Sequence, residues 1–160
     1  MSINHSLKST AGQTIIEVLI AAGVIALVMT AIAAGLTYSV KNSAESKYKA
    51  LATSYAQEAV EIFRRERALM GWDTFRNVVG SNTYCLNTLP SSTDEFVNLE
   101  PGACADGIPV AGTQMTREAI VTPFNNGTVV DRVRVEIEVQ WFDGNRPRTV
   151  EIAQEFQQWQ

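Results

Sequence analysis

The sequence predicts an α+β fold in which the second half of one long N-terminal helix packs on a small C-terminal antiparallel sheet. Three patterns predict it. From Val18 to Leu36 no residue is charged and the only hydroxyl is Thr30. Apolar residues then recur at spacings of three and four through Ala44, Tyr48, Leu51, Tyr55, Ala59, Ile62 and Phe63, which is the period of a helix with one buried face. Near the other end, Val133, Val135, Ile137, Val139 and Trp141 alternate with Arg132, Arg134, Glu136, Glu138 and Gln140. That is the period of a half-buried antiparallel strand. A chain of 160 residues has room for one such domain and an anchor.

The first segment is long enough to cross a hydrocarbon core of about 30 Å as a helix. At its mouth stands one acid, Glu17, in Gly12-Gln13-Thr14-Ile15-Ile16-Glu17-Val18-Leu19-Ile20. A carboxylate on such a helix costs about 2.5–3.5 kcal/mol at the centre of a bilayer and less near an interface. It therefore needs a cationic partner. Cleavage after Gly12 would create one, because the new α-amine of Gln13 lies one helical turn from Glu17. An ordinary secretory signal places its cleavage site after the apolar run. Here the glycine precedes that run, so cleavage leaves the helix attached; an uncleaved signal anchor is the alternative.

These residues resemble the processing site of type IV prepilins and type II secretion pseudopilins, in which a short polar leader ends in Gly before an apolar helix with an acid at fixed offset. The resemblance covers Gly12 to about Leu36. It implies cleavage between Gly12 and Gln13 by a prepilin peptidase, N-methylation of Gln13, and a role for Glu17 in assembly. It implies the type IV pilin fold, with the C-terminal domain outside the cytoplasmic membrane and, after assembly, on a cell-surface pilus. Two departures stand out. Gln13 occupies the place where the family most often has Phe, and the leader carries a single Lys, Lys8. Charge alone does not set this orientation, since Lys41, Lys47 and Lys49 follow the span.

Residues 1–12 are thus expected as leader, 13–40 as membrane-spanning or filament-core helix, and 41–70 as amphipathic helix. Gly71 is the expected helix stop, with Arg64, Arg65 and Arg67 in the last turns to suit the macrodipole. Gly23 and Gly35 are weak points in the first half. Residues 71–116 are rich in Gly, Pro, Ser and Asn and read as loops. They hold both cysteines, Cys85 and Cys104. In an extracytoplasmic domain these are expected to form a disulfide; two free buried thiols are the alternative if the region faced the cytosol. Residues 117–160 read as the sheet, with a strand at Glu118–Thr122, a turn at Asn125-Asn126-Gly127, and a hairpin turn at Asp143-Gly144 leading to Val150, Ile152 and Phe156.

Without residues 1–12 the chain carries 12 basic and 17 acidic residues, a net charge of −5. That argues against a broadly basic nucleic-acid surface. The single histidine, His5, falls in the leader, so the mature chain has no His for zinc or for acid–base catalysis. Asp94, Glu95, Glu100 and Asp106 do not fit a calcium loop and read as solvated surface. Asn126-Gly127-Thr128 fits a glycosylation acceptor and reads more simply as a turn. No phosphate loop or metalloprotease motif is present. The expectation is therefore no enzyme and no cofactor. It is a filament subunit of a type IV pilus system, of minor-pilin type, partnered by other pilin subunits, the prepilin peptidase, the assembly machinery and the membrane. A pseudopilin of a secretion or DNA-uptake machine is the close variant, and a monomeric membrane-anchored binding domain is the reading of a different class.

Overall fold

The computed structural model describes residues 11–105, 109–127 and 129–158. Most of the expected leader, Met1–Thr10, lies outside the described residues, as do Asp106 and Thr128. The chain divides into two compact units, Met1–Ser46 and Lys47–Gln160. Its elements are a long helix α1 (Ala11–Val79), strand β1 (Thr83–Cys85), a short helix α2 (Thr93–Val97), and strands β2 (Thr116–Asn126), β3 (Val129–Asp143) and β4 (Arg146–Gln157). The four strands form one antiparallel sheet in the order β1-β2-β3-β4. The α+β layout of a long apolar N-terminal helix and a small antiparallel sheet is therefore present.

In the second unit, the part of α1 beyond Lys47 buries Ala52, Ala56, Ala59, Val60 and Phe63. These fall at helical spacing, so they form one stripe. Three of them are alanines, the best helix formers, and their small side chains leave room for the branched residues of a sheet. The facing layer is Ala119 and Val121 of β2, Val133, Val135, Ile137, Val139 and Trp141 of β3, and Phe156 of β4, all in the same cluster. The stripe lies one position round from the expected one: Ala44 is exposed and Tyr48 is 52% exposed. The cluster takes in α1 only from Leu51 onward, so Tyr48 has no core to enter.

Gly71 does not end α1. It takes φ 75 and ψ 171, a break in helical geometry, and the helix resumes to Val79. Trp72, Phe75 and Val79 are spaced for one face and all are buried, so tertiary burial renews the helix where local punctuation would stop it. Gly80, with φ 54, follows the true end. The three arginines before Gly71 consequently act as cross-links. The Arg64 Nη2 donates to Gln154 Oε1 at 2.6 Å, Arg65 Nη2 to the Pro90 carbonyl at 3.3 Å, and Arg67 Nη2 to the Gln157 carbonyl at 2.7 Å. Glu66, fully buried, accepts from Arg65 Nε at 2.7 Å.

The stretch expected as loops contains the end of α1, β1 and α2. Ser92 caps α2 by accepting from the Glu95 N–H. The Glu95 carboxylate reaches back to the Ser91 N–H at 2.7 Å and the Ser91 hydroxyl at 3.0 Å. These bonds, the backbone one foremost, hold the Glu95 carboxyl below its usual range. A lowered folded value means the contribution is present at neutral pH and fades as pH falls through that value. At the other turns, Gly127 (φ 73) links β2 to β3 and Gly144 (φ 61) links β3 to β4, where only a residue without Cβ adopts positive φ freely.

One polar residue locks helix to sheet. Arg117 of β2 is 2% exposed and points inward with Ala119 and Val121. Its Nε donates to the Leu86 carbonyl at 2.8 Å; its Nη1 donates to the Tyr55 carbonyl and to Glu58 Oε2, both at 2.9 Å. The guanidinium lies 5.8 Å from the Tyr55 ring centroid. Its own N–H is held by Asn87 Oδ1 at 2.7 Å. Arg117→Met keeps the aliphatic stem and removes every side-chain donor, leaving buried acceptors unpaired. A loss of about 3 kcal/mol is expected, measured as a lower urea midpoint for the detergent-solubilised full chain; an unchanged midpoint would contradict this role.

Candidate functional site

The N-terminal half of α1 is built almost entirely of Ala, Leu, Ile, Val and Gly. Its hydroxyls turn inward on the helix itself: Thr30 Oγ1 donates to the Leu27 carbonyl and Thr37 Oγ1 to the Ala33 carbonyl, both at 2.9 Å. The backbone and these two hydroxyls are thus satisfied within the segment, as an apolar surrounding requires. Gly23 and Gly35 remain helical, and a Cβ at either would meet nothing within 4 Å. The large side chains from Ile15 to Leu36 are 51–71% exposed. Among the described residues this is the one helix long and apolar enough to cross a membrane by length and composition. An apolar surface of that extent does not remain in water; it fits a membrane anchor or a helix packed among others. Tyr38, 75% exposed, and Lys41 stand where the apolar run ends.

The structure places Gly12, Gln13 and Glu17 together on α1. The Gly12–Gln13 bond lies within α1, whose described residues are helical from Ala11 onward, ahead of the expected start near Thr14. Glu17 is exposed between Ile16 and Val18 and has no hydrogen bond or ion pair with a described residue. It follows Gln13 by four positions, one helical turn.

The second candidate feature is the cysteine pair. Cys85 at the end of β1 and Cys104 are joined, with an S–S distance of 2.08 Å and Cα atoms 4.7 Å apart. The bridge holds the segment after Glu100 against β1: Pro101 pairs with Tyr84, and the Gly102 N–H donates to the Thr83 carbonyl at 2.7 Å. The Cys104 N–H donates to Glu118 Oε1 at 2.6 Å. This covers the outer edge of β1.

Of the loop acids, Asp94 and Glu95 lie on α2 and Glu100 is exposed. Among the described residues no group of three His, Cys, Asp or Glu is placed to hold a metal ion. Asn126 and Gly127 form the β2–β3 turn. Sequence reasoning missed Arg117 and Glu66 as buried charges. For Arg117 a signal existed, since it stands in period-two phase with Ala119 and Val121; Glu66 stands in helical phase with Ala59 and Phe63.

No protein-family model matches the chain, and no curated protein and no solved structure matches it either.

Closing the loop between residues 19 apart in sequence stabilises by about 3 kcal/mol in the chain-entropy model. Cys85→Ser combined with Cys104→Ser should lower the unfolding midpoint accordingly, and thiol labelling of unfolded, non-reduced wild-type protein should find no free cysteine. Quantitative labelling of both would contradict the bridge.

Proposed function

We propose that this chain is a filament subunit of the type IV pilin class, of minor-pilin type. It would be cut after Gly12, anchored in the cytoplasmic membrane through α1, and assembled with other subunits through the same helix. The observation that carries the reading is an apolar helix whose large side chains from Ile15 to Leu36 are 51–71% exposed, with one carboxylate, Glu17, four positions after Gln13. The helix followed by a small antiparallel sheet and a disulfide is compatible with a pilin fold.

The physical logic is one of charge and register. After cleavage the Gln13 α-amine can neutralise Glu17 of its own chain near the membrane boundary, where both can be hydrated. In a filament the helices bundle and water leaves. An unpaired carboxylate or ammonium there is costly, so a pair is required. A neighbour displaced along the axis by about one helical turn, roughly 5.4 Å, sets its own Glu17 opposite the incoming amine. A wrong stagger leaves two buried charges unpaired, so the pair specifies docking more than it adds net stability. The reading assigns α1 a structural role and requires no catalysis.

Two outcomes test it. Gly12→Leu places a bulky side chain at the scissile bond, so the full-length precursor should persist in the membrane. Normal maturation, seen by intact-mass spectrometry, would overturn the cleavage assignment. Glu17→Val should leave the protein expressed, inserted and folded yet depleted at least tenfold (about 1.4 kcal/mol) from sheared filament fractions. Wild-type incorporation of that variant would remove the reading, and a chain never found in filaments would favour the monomeric anchored domain.

A further inference from the structure

The two edges of the sheet end differently. The outer edge of β1 is covered by the disulfide-held segment at Pro101–Cys104. The outer edge of β4 pairs with no described strand. Its polarity follows from the hairpin. Gly144 and Asn145 form a two-residue loop closed by Asp143 opposite Arg146, and the closing pair of such a loop is hydrogen-bonded. Alternation then turns the backbone groups of Arg148, Val150, Ile152 and Gln154 toward β3, and those of Thr149, Glu151, Ala153, Glu155 and Gln157 outward. Pro147, which has no N–H, falls at an outward position, as it should on an edge. Two outward carbonyls are already capped: Gln157 by Arg67 at 2.7 Å, and Glu155 by the Gln154 side chain at 2.8 Å. Among the described residues nothing pairs with the outward donors and acceptors of Thr149, Glu151 and Ala153.

The side chains flanking this edge are unequal. On the outer face Glu118 stands directly opposite Glu138, and Glu138 directly opposite Glu151. Like charges so placed are unfavourable. Glu118 is relieved by the Cys104 N–H and Glu138 by Gln140 Nε2 at 3.3 Å, whereas Glu151, at the open end of the row, has no cation among the described residues. On the helix side, an open groove of about 520 Å³ runs between α1 and β4; half-buried Ile152 is its apolar strip above buried Val60, and Gln57, Glu58, Glu61 and Arg64 make its α1 wall polar.

We propose that the β4 edge is a docking site for an extended peptide segment of alternating apolar and basic residues, added as a further strand. Its backbone pairs with Thr149, Glu151 and Ala153. Its apolar side chains lie over Ile152 along the β4 side of the groove, and the polar α1 wall stays hydrated. Its basic side chains lie on the outer face, one of them opposite Glu151, ending the acidic row with a cation. A second copy of β4 is a poorer occupant. The outward positions of β4 are Pro147, Thr149, Glu151, Ala153, Glu155 and Gln157, so no register of a β4–β4 pair supplies a cation opposite Glu151. This inference rests on the second unit alone and does not depend on the filament reading.

The test uses the full chain in detergent micelles and the peptide acetyl-Lys-Val-Lys-Val-Lys-Val-Lys-amide. Binding should slow hydrogen exchange at the Thr149, Glu151 and Ala153 amides. Ala153→Pro removes one outward donor without touching the β3 ladder and should weaken binding about tenfold. Glu151→Lys should weaken it similarly and confer binding of acetyl-Glu-Val-Glu-Val-Glu-Val-Glu-amide. Should a variant fail to fold by circular dichroism, an alternately N-methylated basic peptide replaces it. That peptide keeps the charges and loses the donors, so it should not bind the wild-type chain. No amide protection at saturating peptide, binding by the N-methylated peptide, unchanged affinity in a folded Ala153→Pro, or a β4-mediated dimer that the peptide does not dissociate would each overturn the proposal.

Discussion

Everything in the second unit depends on mutual cover between one face of α1 and the inner face of the sheet. Neither surface is tolerable in water alone. The stripe from Ala52 to Phe63 is too weakly apolar to hold a sheet by area alone, because its alanines bury little. Shape compensates: small helix residues accept the larger Val, Ile and Trp side chains of β3. Arg117 then fixes the relative position, because one planar cation reaches acceptors on α1 and after β1 at once. A buried guanidinium is costly unless each donor finds its acceptor, so it penalises any sliding of helix over sheet.

The same logic distributes polarity around the sheet. Its inner face is apolar apart from Arg117, Arg148 and Gln154, its outer face carries five acids with Arg132 and Arg134 among them, and one edge is closed by the disulfide segment. The closed edge removes a row of unpaired backbone groups that would otherwise invite other chains. Among the described residues the β4 edge is capped at its C-terminal end, by Arg67 and Gln154. The two edges therefore have different physical fates, and the difference lies in side chains rather than in strand order.

The first unit poses the complementary problem. Its helix satisfies its own backbone hydrogen bonds and exposes its large apolar side chains from Ile15 to Leu36. One helix thus carries two chemistries, apolar all round in its first half and one-faced in its second.

How much of this was legible depends on range. The apolar run from Val18 to Leu36, the alternation along β3, the turns at Gly127 and Gly144, and the cysteine pair are signals local to the chain, so periodicity and composition expose them. Others were decided by partners far away in sequence. Trp72, Phe75 and Val79 keep α1 helical past Gly71 because a core awaits them. Tyr48 stays exposed because the packed cluster begins at Leu51. Thr83–Cys85 becomes a strand through pairing with Glu118–Ile120, which no local pattern announces. The sequence by itself determined the long helix as far as Gly71, the strands β2, β3 and β4, and which helix half is apolar all round. Only the tertiary structure decided the buried face of α1, the cross-links of Arg64, Arg65, Arg67 and Arg117, and the open edge, because each is a contact between residues the chain brings together only when it folds.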